Sequence, residues 1–262
     1  MSADVPDWQL PPGVNRGLWD YLHAPRIARE YDASLTDSPL LQVDQRFAER
    51  HFDRPGKLID LGCGTGRLLV PFAQRGYWVL GVDLAEEMLR VAAIKAEAAG
   101  VTIHLLKANL TELGCLSDGA FDYAACLFST LGMISGAANR RRTLHEVFRL
   151  LRPGGTFVLH VHNLWFNIWT PGGWRWLVRD WWMSLRGHDA VGDRRMPVHQ
   201  GIAGLTLHLW TRREAVRLLQ DAGFEIKEVF PVSLATDGRL RRPGWFGWLR
   251  AYGYLLAARK PE

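Results

Sequence analysis

The chain has 262 residues, 48% of them hydrophobic and 23% charged, enough for one large α/β domain with an embellishment. No run of 18 or more apolar residues occurs, which excludes a membrane-spanning helix. The net charge of +5, carried mostly by arginine, leaves a nucleic-acid partner open without calling for one; a mildly basic surface is the simpler reading. Cys63, Cys115 and Cys126 are an odd set without metal-ligand spacing, so a reducing, cytoplasmic setting is expected. The start, MSADVPDWQLPPG, has neither the basic nor the apolar part of a signal peptide and reads as a mobile arm.

Apolar residues at Leu18, Tyr21, Leu22, Ile27 and Tyr31 recur at helical steps, and a second helix is predicted over 40–52, ending before Pro55-Gly56. KLIDL (57–61) is a short apolar strand. GRLLVPFAQRG (66–76) reads as a helix closed by Gly76, and YWVLGVD (77–83) as a second strand. An amphipathic helix follows over 84–100, with Asp83 as N-cap, Glu86 three positions on and Gly100 as terminator. Strands are predicted over 101–108 and 121–128, a helix over 139–155 and a fifth strand over 156–163. After an irregular stretch, TRREAVRLLQDAGF (211–224) carries a Thr211/Glu214 capping box and ends at Gly223. Strands over 224–232 and 251–259 complete the pattern. Strands alternating with helices predict an α/β fold: a Rossmann-like, seven-stranded, mostly parallel sheet with helices on both faces. The N-terminal helices and an inserted lid between strand five and the last helix are additions to it. The domain reading is a helical cap over 1–54, a cofactor-binding half over 55–163, a Trp-rich insert over 164–204 and a C-terminal part over 205–262.

The chemistry centres on LIDLGCGTGRL (58–68). Gly62, Gly64 and Gly66 allow conformations closed to residues with a Cβ and let a ligand approach the backbone. A dinucleotide site has G-x-G-x-x-G, but the third position of that pattern is Arg67 here. The spacing is G-x-G-x-G, with Asp60 two residues ahead. Asp83 follows the second strand, where a carboxylate can accept from both hydroxyls of a ribose.

This combination resembles the class I S-adenosylmethionine-dependent methyltransferases, over most of residues 55–260. LIDLGCGTG resembles the family's first motif and GVDLAEEML its ribose-binding acidic loop. FDYAACLFSTLGMI, LLRPGGTFVLHVHN and AGFEIKEV resemble the later segments in the correct order. The resemblance implies S-adenosylmethionine as cofactor. It places Gly62, Cys63, Gly64 and Gly66 at the methionine part, and Asp60 behind that loop or at the amino group. Asp83 would hold the ribose hydroxyls, with Leu84 and Met88 near the adenine. Where the family often has an acid for the adenine amino group, this chain has Asn109, followed by Leu110. Leu127 and Phe128 would line the sulfonium region.

The resemblance also implies that the acceptor sits at the carboxyl ends of strands four and five. The N/D-P-P-Y/F signature of base N-methylation is absent. His160 and His162 share one face of strand five by the two-residue period. His162 is the candidate general base, since imidazole titrates near neutrality, whereas His160 reads as a buried, hydrogen-bonded histidine. Asn163, Trp165 and Tyr31, with Phe128, are the candidate substrate contacts, and Tyr21 is a further candidate from the cap. The insert holds six of the 12 tryptophans. It has four readings: a lid over a flat or greasy acceptor, a contact with a bilayer surface, a homodimer interface, or plain core. The resulting expectation is methyl transfer to a small aromatic or lipophilic molecule. An RNA or protein methyltransferase, suggested by the Arg140–Arg142 and Arg239–Arg242 clusters, and a silent cofactor-binding protein are the alternatives.

Overall fold

The computed structural model describes residues 5–35, 39–186, 191–196, 202, 204–235 and 237–262. The first four residues and most of the polar run after 186 lie outside these. Three helices, α1 (Arg16–Leu22), α2 (Pro25–Leu35) and α3 (Pro39–His51), precede β1 (Lys57–Leu61), α4 (Leu69–Gln74), β2 (Trp78–Asp83), α5 (Glu86–Ala98) and β3 (His104–Lys107). Next come β4 (Phe121–Cys126), α6 (Thr130–Met133), α7 (Ala137–Leu150) and β5 (Leu151–His162). The insert forms a 3-10 segment (Leu164–Trp169), α8 (Gly173–Leu185) and β6 (Asp193–Arg195). The chain closes with β7 (Thr206–His208), α9 (Arg212–Asp221), β8 (Glu225–Val232), α10 (Gly247–Arg250) and β9 (Gly253–Arg259).

The main sheet has seven strands in the order β3-β2-β1-β4-β5-β9-β8. β1 to β5 are parallel, and β9 runs antiparallel to both its neighbours. Because side chains alternate across a strand, Leu58 joins Phe47, Phe72 and Leu89 on one face. Ile59 and Leu61 join Leu144, Val147 and Leu219 on the other. Both faces are therefore covered by helices, which is why the central strands are apolar runs and not alternating ones. The strand order reverses between β1 and β4, and their carboxyl ends open the crevice where ligands bind in such sheets.

Three local expectations are corrected. The fifth strand starts at Leu151, not 156, because Leu151 pairs with Phe121 and pulls the Pro-Gly-Gly segment into the sheet edge; the preceding helix ends at Leu150. The predicted helix over 66–76 becomes tight turns until Leu69. Asp83 is not a helix N-cap: that position belongs to Ala85, without a side-chain cap. Glu86 does not reach back either, and bonds Arg90 and Lys107 instead. The Thr211/Glu214 box forms as predicted.

The β6–β7 hairpin stands apart from the main sheet and is clamped to α9 by a buried histidine. His208 Nδ1 lies 2.7 Å from Asp193 Oδ1 and Nε2 lies 2.8 Å from Glu214 Oε1. Burial opposes the imidazolium, but the two carboxylates outweigh it and raise His208 above the ordinary 6.5. A raised folded value means this stabilisation is complete below pH 6.5 and fades as pH climbs through it. We expect His208→Gln to lower the melting temperature by about 3–6 °C at pH 6, and by clearly less at pH 9. Thermal unfolding at both pH values checks this; an equal loss at both would remove the charged clamp.

Candidate active site

The glycine turn is built by its neighbours. Gly62 N and Cys63 N both donate to Val82 O, at 2.7 and 3.1 Å, so the turn is sewn to the end of β2. Gly62 has φ +75°, and a Cβ there would stand 2.3 Å from Thr130 Cγ2, so this turn and the start of α6 leave no space for a side chain. Gly64, at φ +51°, is different: a Cβ would meet only Tyr31 Cε1, at 3.9 Å. Its half-buried edge forms a cradle that faces the cavity over Asp83.

Asp83 organises this cradle. Its Oδ2 accepts from Gly64 N at 2.9 Å and its Oδ1 from Ala85 N at 2.8 Å. Burial raises its pKa, opposed by the Ala85, Gly64 and Leu84 amides. Each oxygen still has a second acceptor direction available for a hydroxyl. Asp60 lies behind the turn, 3% exposed. Burial pushes its carboxyl up to about 7; Arg67 opposes the shift, while Asp83 and Asp44 add to it. A cationic ligand beside it would draw Asp60 to its ionised form.

A cavity opens over these groups, lined by Gly62, Gly64, Asp83, Leu84, Met88, Asn109 and Leu110 from the sheet side. Pro12, Gly13, Val14, Leu18, Tyr21, Leu22 and Tyr31 close it from the N-terminal side, with Thr130, Met133 and Ile134 at one end. The cap is pinned by long-range bonds. Asn15 caps α1 by accepting from Leu18 N, while its Nδ2 donates to Ser135 Oγ and Thr206 Oγ1. Thr65 Oγ1 donates to Asp32 on α2 at 2.6 Å, and Asn109 Nδ2 donates to Pro12 O at 2.9 Å. Asn109 Oδ1 accepts from Thr111 N at 3.2 Å, so this side chain joins the cap to the cavity wall. Residues 12–14 carry no sequence signal for this position, whereas Thr130, Met133 and Ile134 belong to the FDYAACLFSTLGMI segment.

The remaining first-motif residues stand away from the cavity lining. Cys63 is buried, with its Sγ packed where a Cβ on Gly81 would come within 2.7 Å, so its side chain turns into the layer between sheet and helices. Gly66 packs against Ala92 of α5. Leu127 is buried in the core beneath the turn.

A second cavity lies on the far side of α6, lined by His162, Asn163, Phe166, Asn167, Thr170, Arg194, Met196, Leu207, Leu209 and Tyr252. Met133 lines the first cavity and packs against the Leu207–Leu209 cluster that walls the second. Phe128 and Ser129 both adopt left-handed conformations, φ +53° and +64°, at the end of β4. Such non-glycine residues cluster at functional sites. Ser129 Oγ accepts from His162 N at 3.3 Å, and the Phe128 and His162 rings are 6.0 Å apart.

His162 is held as a neutral imidazole. Burial, and then His160, lower its pKa to about 3. Its Nε2 is buried and has no partner among the described residues. A pKa this low makes His162 a weak proton acceptor, and it stands against the second cavity as a neutral imidazole. His160 is fully buried as expected, but neither ring nitrogen makes a well-aligned hydrogen bond. Its Nδ1 stands 2.7 Å from Asp44 Oδ1, and Asp44 Oδ2 is 3.5 Å from Arg67. Arg67 in turn lies over the Phe128 ring at 5.0 Å. Asn163 is spent on the scaffold: its Nδ2 donates to Trp248 O and Ala251 O, and its Oδ1 accepts from Trp165 N. Trp165 lines neither cavity and packs edge-on against Trp248. Arg194 lies over the Trp176 ring, and burial lowers its pKa. The described residues offer it no carboxylate partner. The Arg140–Arg142 cluster does not form one basic surface, because Arg140 is buried, donates to Ile134 O and pairs with Asp193.

Among the described residues no His/Cys/Asp/Glu group could hold a metal, and no helix is long and apolar enough to cross a membrane. Cys63, Cys115 and Cys126 are free thiols.

Residues 58–155 match the family model of a methyltransferase domain. The chain is 36% identical over 124 residues to a demethylmenaquinone methyltransferase of Thermus thermophilus, covering 45% of this chain and 54% of that one. It is 31% identical over 107 residues to a ubiquinone biosynthesis O-methyltransferase of Saccharophagus degradans, covering 41% and 44% respectively. It thus spans about half the length of the curated relatives it matches. A solved methyltransferase of Methanosarcina mazei superposes with a TM-score of 0.64 at 24% identity, covering 82% of this chain and 97% of that one. A 1,6-didemethyltoxoflavin-N1-methyltransferase of Burkholderia thailandensis gives 0.64 at 19% identity, covering 97% and 93%. Residues 58–155 thus match a methyltransferase domain, and they lie within a sheet of the order β3-β2-β1-β4-β5-β9-β8, in a fold that the chain shares with solved methyltransferases.

Proposed function

We propose that the chain moves a methyl group from S-adenosylmethionine to a small aromatic or lipophilic acceptor whose nucleophile is anionic. The observation that carries this reading is the pair of cavities on either side of α6, one with Asp83 and the glycine turn, the other apolar with His162 and Arg194. Gly64 would admit the methionine part, Asp83 the ribose hydroxyls, and Leu84, Met88 and Leu110 the adenine face. When bound, the cofactor supplies a methyl carbon on a sulfonium that is already a good leaving group. What remains for the protein is orientation and the exclusion of water. His162, neutral at physiological pH, walls the acceptor side of the second cavity and does not take the acceptor's proton. Arg194 favours an acceptor that arrives ionised, such as an acidic phenol or enol, because a desolvated guanidinium gains from an anion. Phe166, Tyr252, Leu207 and Leu209 supply the apolar walls, so the insert serves as part of the acceptor pocket. The relatives named for quinone acceptors support an aromatic ring of this kind.

The test is transfer of labelled methyl to hydroxylated aromatic acids and to their uncharged esters. Turnover of the acids is expected. Arg194→Met should raise KM for the acids by about tenfold or more and leave the esters unaffected, while His162→Ala should lower kcat without moving the acidic limb of the pH profile. Turnover of esters alone, or of structured RNA, would overturn the acceptor assignment. Failure to bind S-adenosylhomocysteine would overturn the whole reading.

A further inference from the structure

We propose that the aromatic face made by residues 165–185 and 239–250 docks the protein on an anionic membrane surface. Six tryptophans, Trp169, Trp174, Trp181, Trp182, Trp245 and Trp248, are between 49% and 67% exposed. The chain buries tryptophan well where it has the chance, since Trp210 is 1% exposed. Patches of this kind on a water-soluble surface mark a binding face.

Helix α8 shows why the exposure is not incidental. Its inner side, Trp176 and Leu177, packs on the Leu164–Leu207–Leu209 cluster. Its outer side carries Trp174, Val178, Trp181, Trp182 and Leu185, all exposed. An exposed apolar stripe of this size, flanked here by Arg175 and Arg179, marks a face that something covers. The second segment belongs to the same surface: Trp165 meets Trp248 edge-on at 5.5 Å, and Trp169 Nε1 donates to Leu249 O at 3.1 Å. At its tip, Arg242 and Phe246 are held at φ +51° and +50°, on either side of the outward-facing Trp245.

Charge selects the occupant. Residues 164–186 and 238–252 contain seven arginines and one acid, Asp180. Asp180 is 7% exposed and is used by Gly192 N, so the exposed charge has one sign. Arg175 lies over the Trp174 ring and Arg186 over that of Trp182, which sets guanidinium beside indole as at a headgroup boundary. A second copy is disfavoured, because an isologous contact would bring two arginine-rich faces of the same charge together. The exposed aliphatic residues Ile168, Val178 and Leu185 gain nothing from stacking on nucleic-acid bases but do gain from acyl chains.

The experiment uses the full chain with vesicles of phosphatidylcholine alone and of an equal mixture with phosphatidylglycerol, read by co-sedimentation and tryptophan emission. Binding to the anionic vesicles with a blue-shifted emission is expected, weakened as salt rises toward ~0.5 M. Trp181→Ala/Trp182→Ala should weaken it at least about tenfold. Trp245→Ser/Phe246→Ser, on the separate loop, should also weaken it; circular dichroism confirms that each variant is folded. The proposal falls if neither vesicle binds, or if both variants bind like the parent. It falls equally if the tryptophans mediate a concentration-dependent dimer in sedimentation, or oligouridylate binding, in place of vesicle binding.

Discussion

Asp83→Ala is expected to weaken the binding of S-adenosylhomocysteine by about a hundredfold or more, measured by calorimetry. Two effects combine. The carboxylate would accept charge-assisted bonds from two ribose hydroxyls, each worth about 1.5–3 kcal/mol. It also holds Gly64 N and Ala85 N, so its loss frees the turn that shapes the methionine end. Asp83→Asn separates the two, since the amide oxygen can still hold one backbone N–H while the charge is gone; an intermediate loss is expected. Affinity within about twofold of the parent for Asp83→Ala would remove Asp83 from the site. The variant is expected to stay folded, because Asp83 caps no helix.

The second large effect is on stability. Gly62→Ala is expected to cost about 2–5 kcal/mol, a fall of about 5–15 °C in melting temperature. The left-handed φ of +75° disfavours any side chain, and the new Cβ would stand 2.3 Å from Thr130 Cγ2. Thr130 cannot simply withdraw, because its hydroxyl donates to Leu127 O at 2.8 Å at the start of α6. Adding Thr130→Ser removes the clashing methyl and keeps that hydroxyl, so the double variant should recover part of the loss, leaving the backbone term and the 3.0 and 3.2 Å approaches to Oγ1 and Cβ. Gly114→Ala is the control: nothing lies within 4 Å of its Cβ position, and it should shift stability by less than about 0.5 kcal/mol. A Gly62→Ala chain as stable as the parent would mean that the turn is not packed as described.

The strands of the sheet and the glycine turn were legible because their causes are local. Apolar runs of five or six residues, punctuated by glycine and followed by an amphipathic stretch, carry their own periodicity. The same local logic misplaced the start of α5. Asp83 has good N-cap chemistry, but its carboxylate is drawn to Gly64 N across the turn, and Ala85 takes the cap position. Helix 139–155 was over-extended for a related reason: pairing of Leu151 with Phe121 overrides the continuation of the helical pattern.

The site divides along the same line. Gly62, Gly64, Asp83, Leu84 and Met88 lie close together in the chain, from the turn after β1 to the start of α5, and all five line one cavity. Asn15 reaching Ser135 and Thr206, Asp44 beside His160, Arg140 buried on Asp193 and Arg194 facing His162's cavity all join residues far apart in the chain. Nothing in local propensity encodes such contacts, since they exist only once the sheet has set which faces meet. By itself, the sequence determined the fold class and the presence of a tryptophan-rich insert, through periodicity, turn chemistry and composition, and its resemblance at LIDLGCGTG and GVDLAEEML pointed to the methyl donor. The tertiary structure decided that burial holds His162 neutral, that Asn163 bonds the scaffold, and that nine of the 12 tryptophans are exposed. Protonation and exposure depend on what packs around a group, and packing is a property of the whole chain.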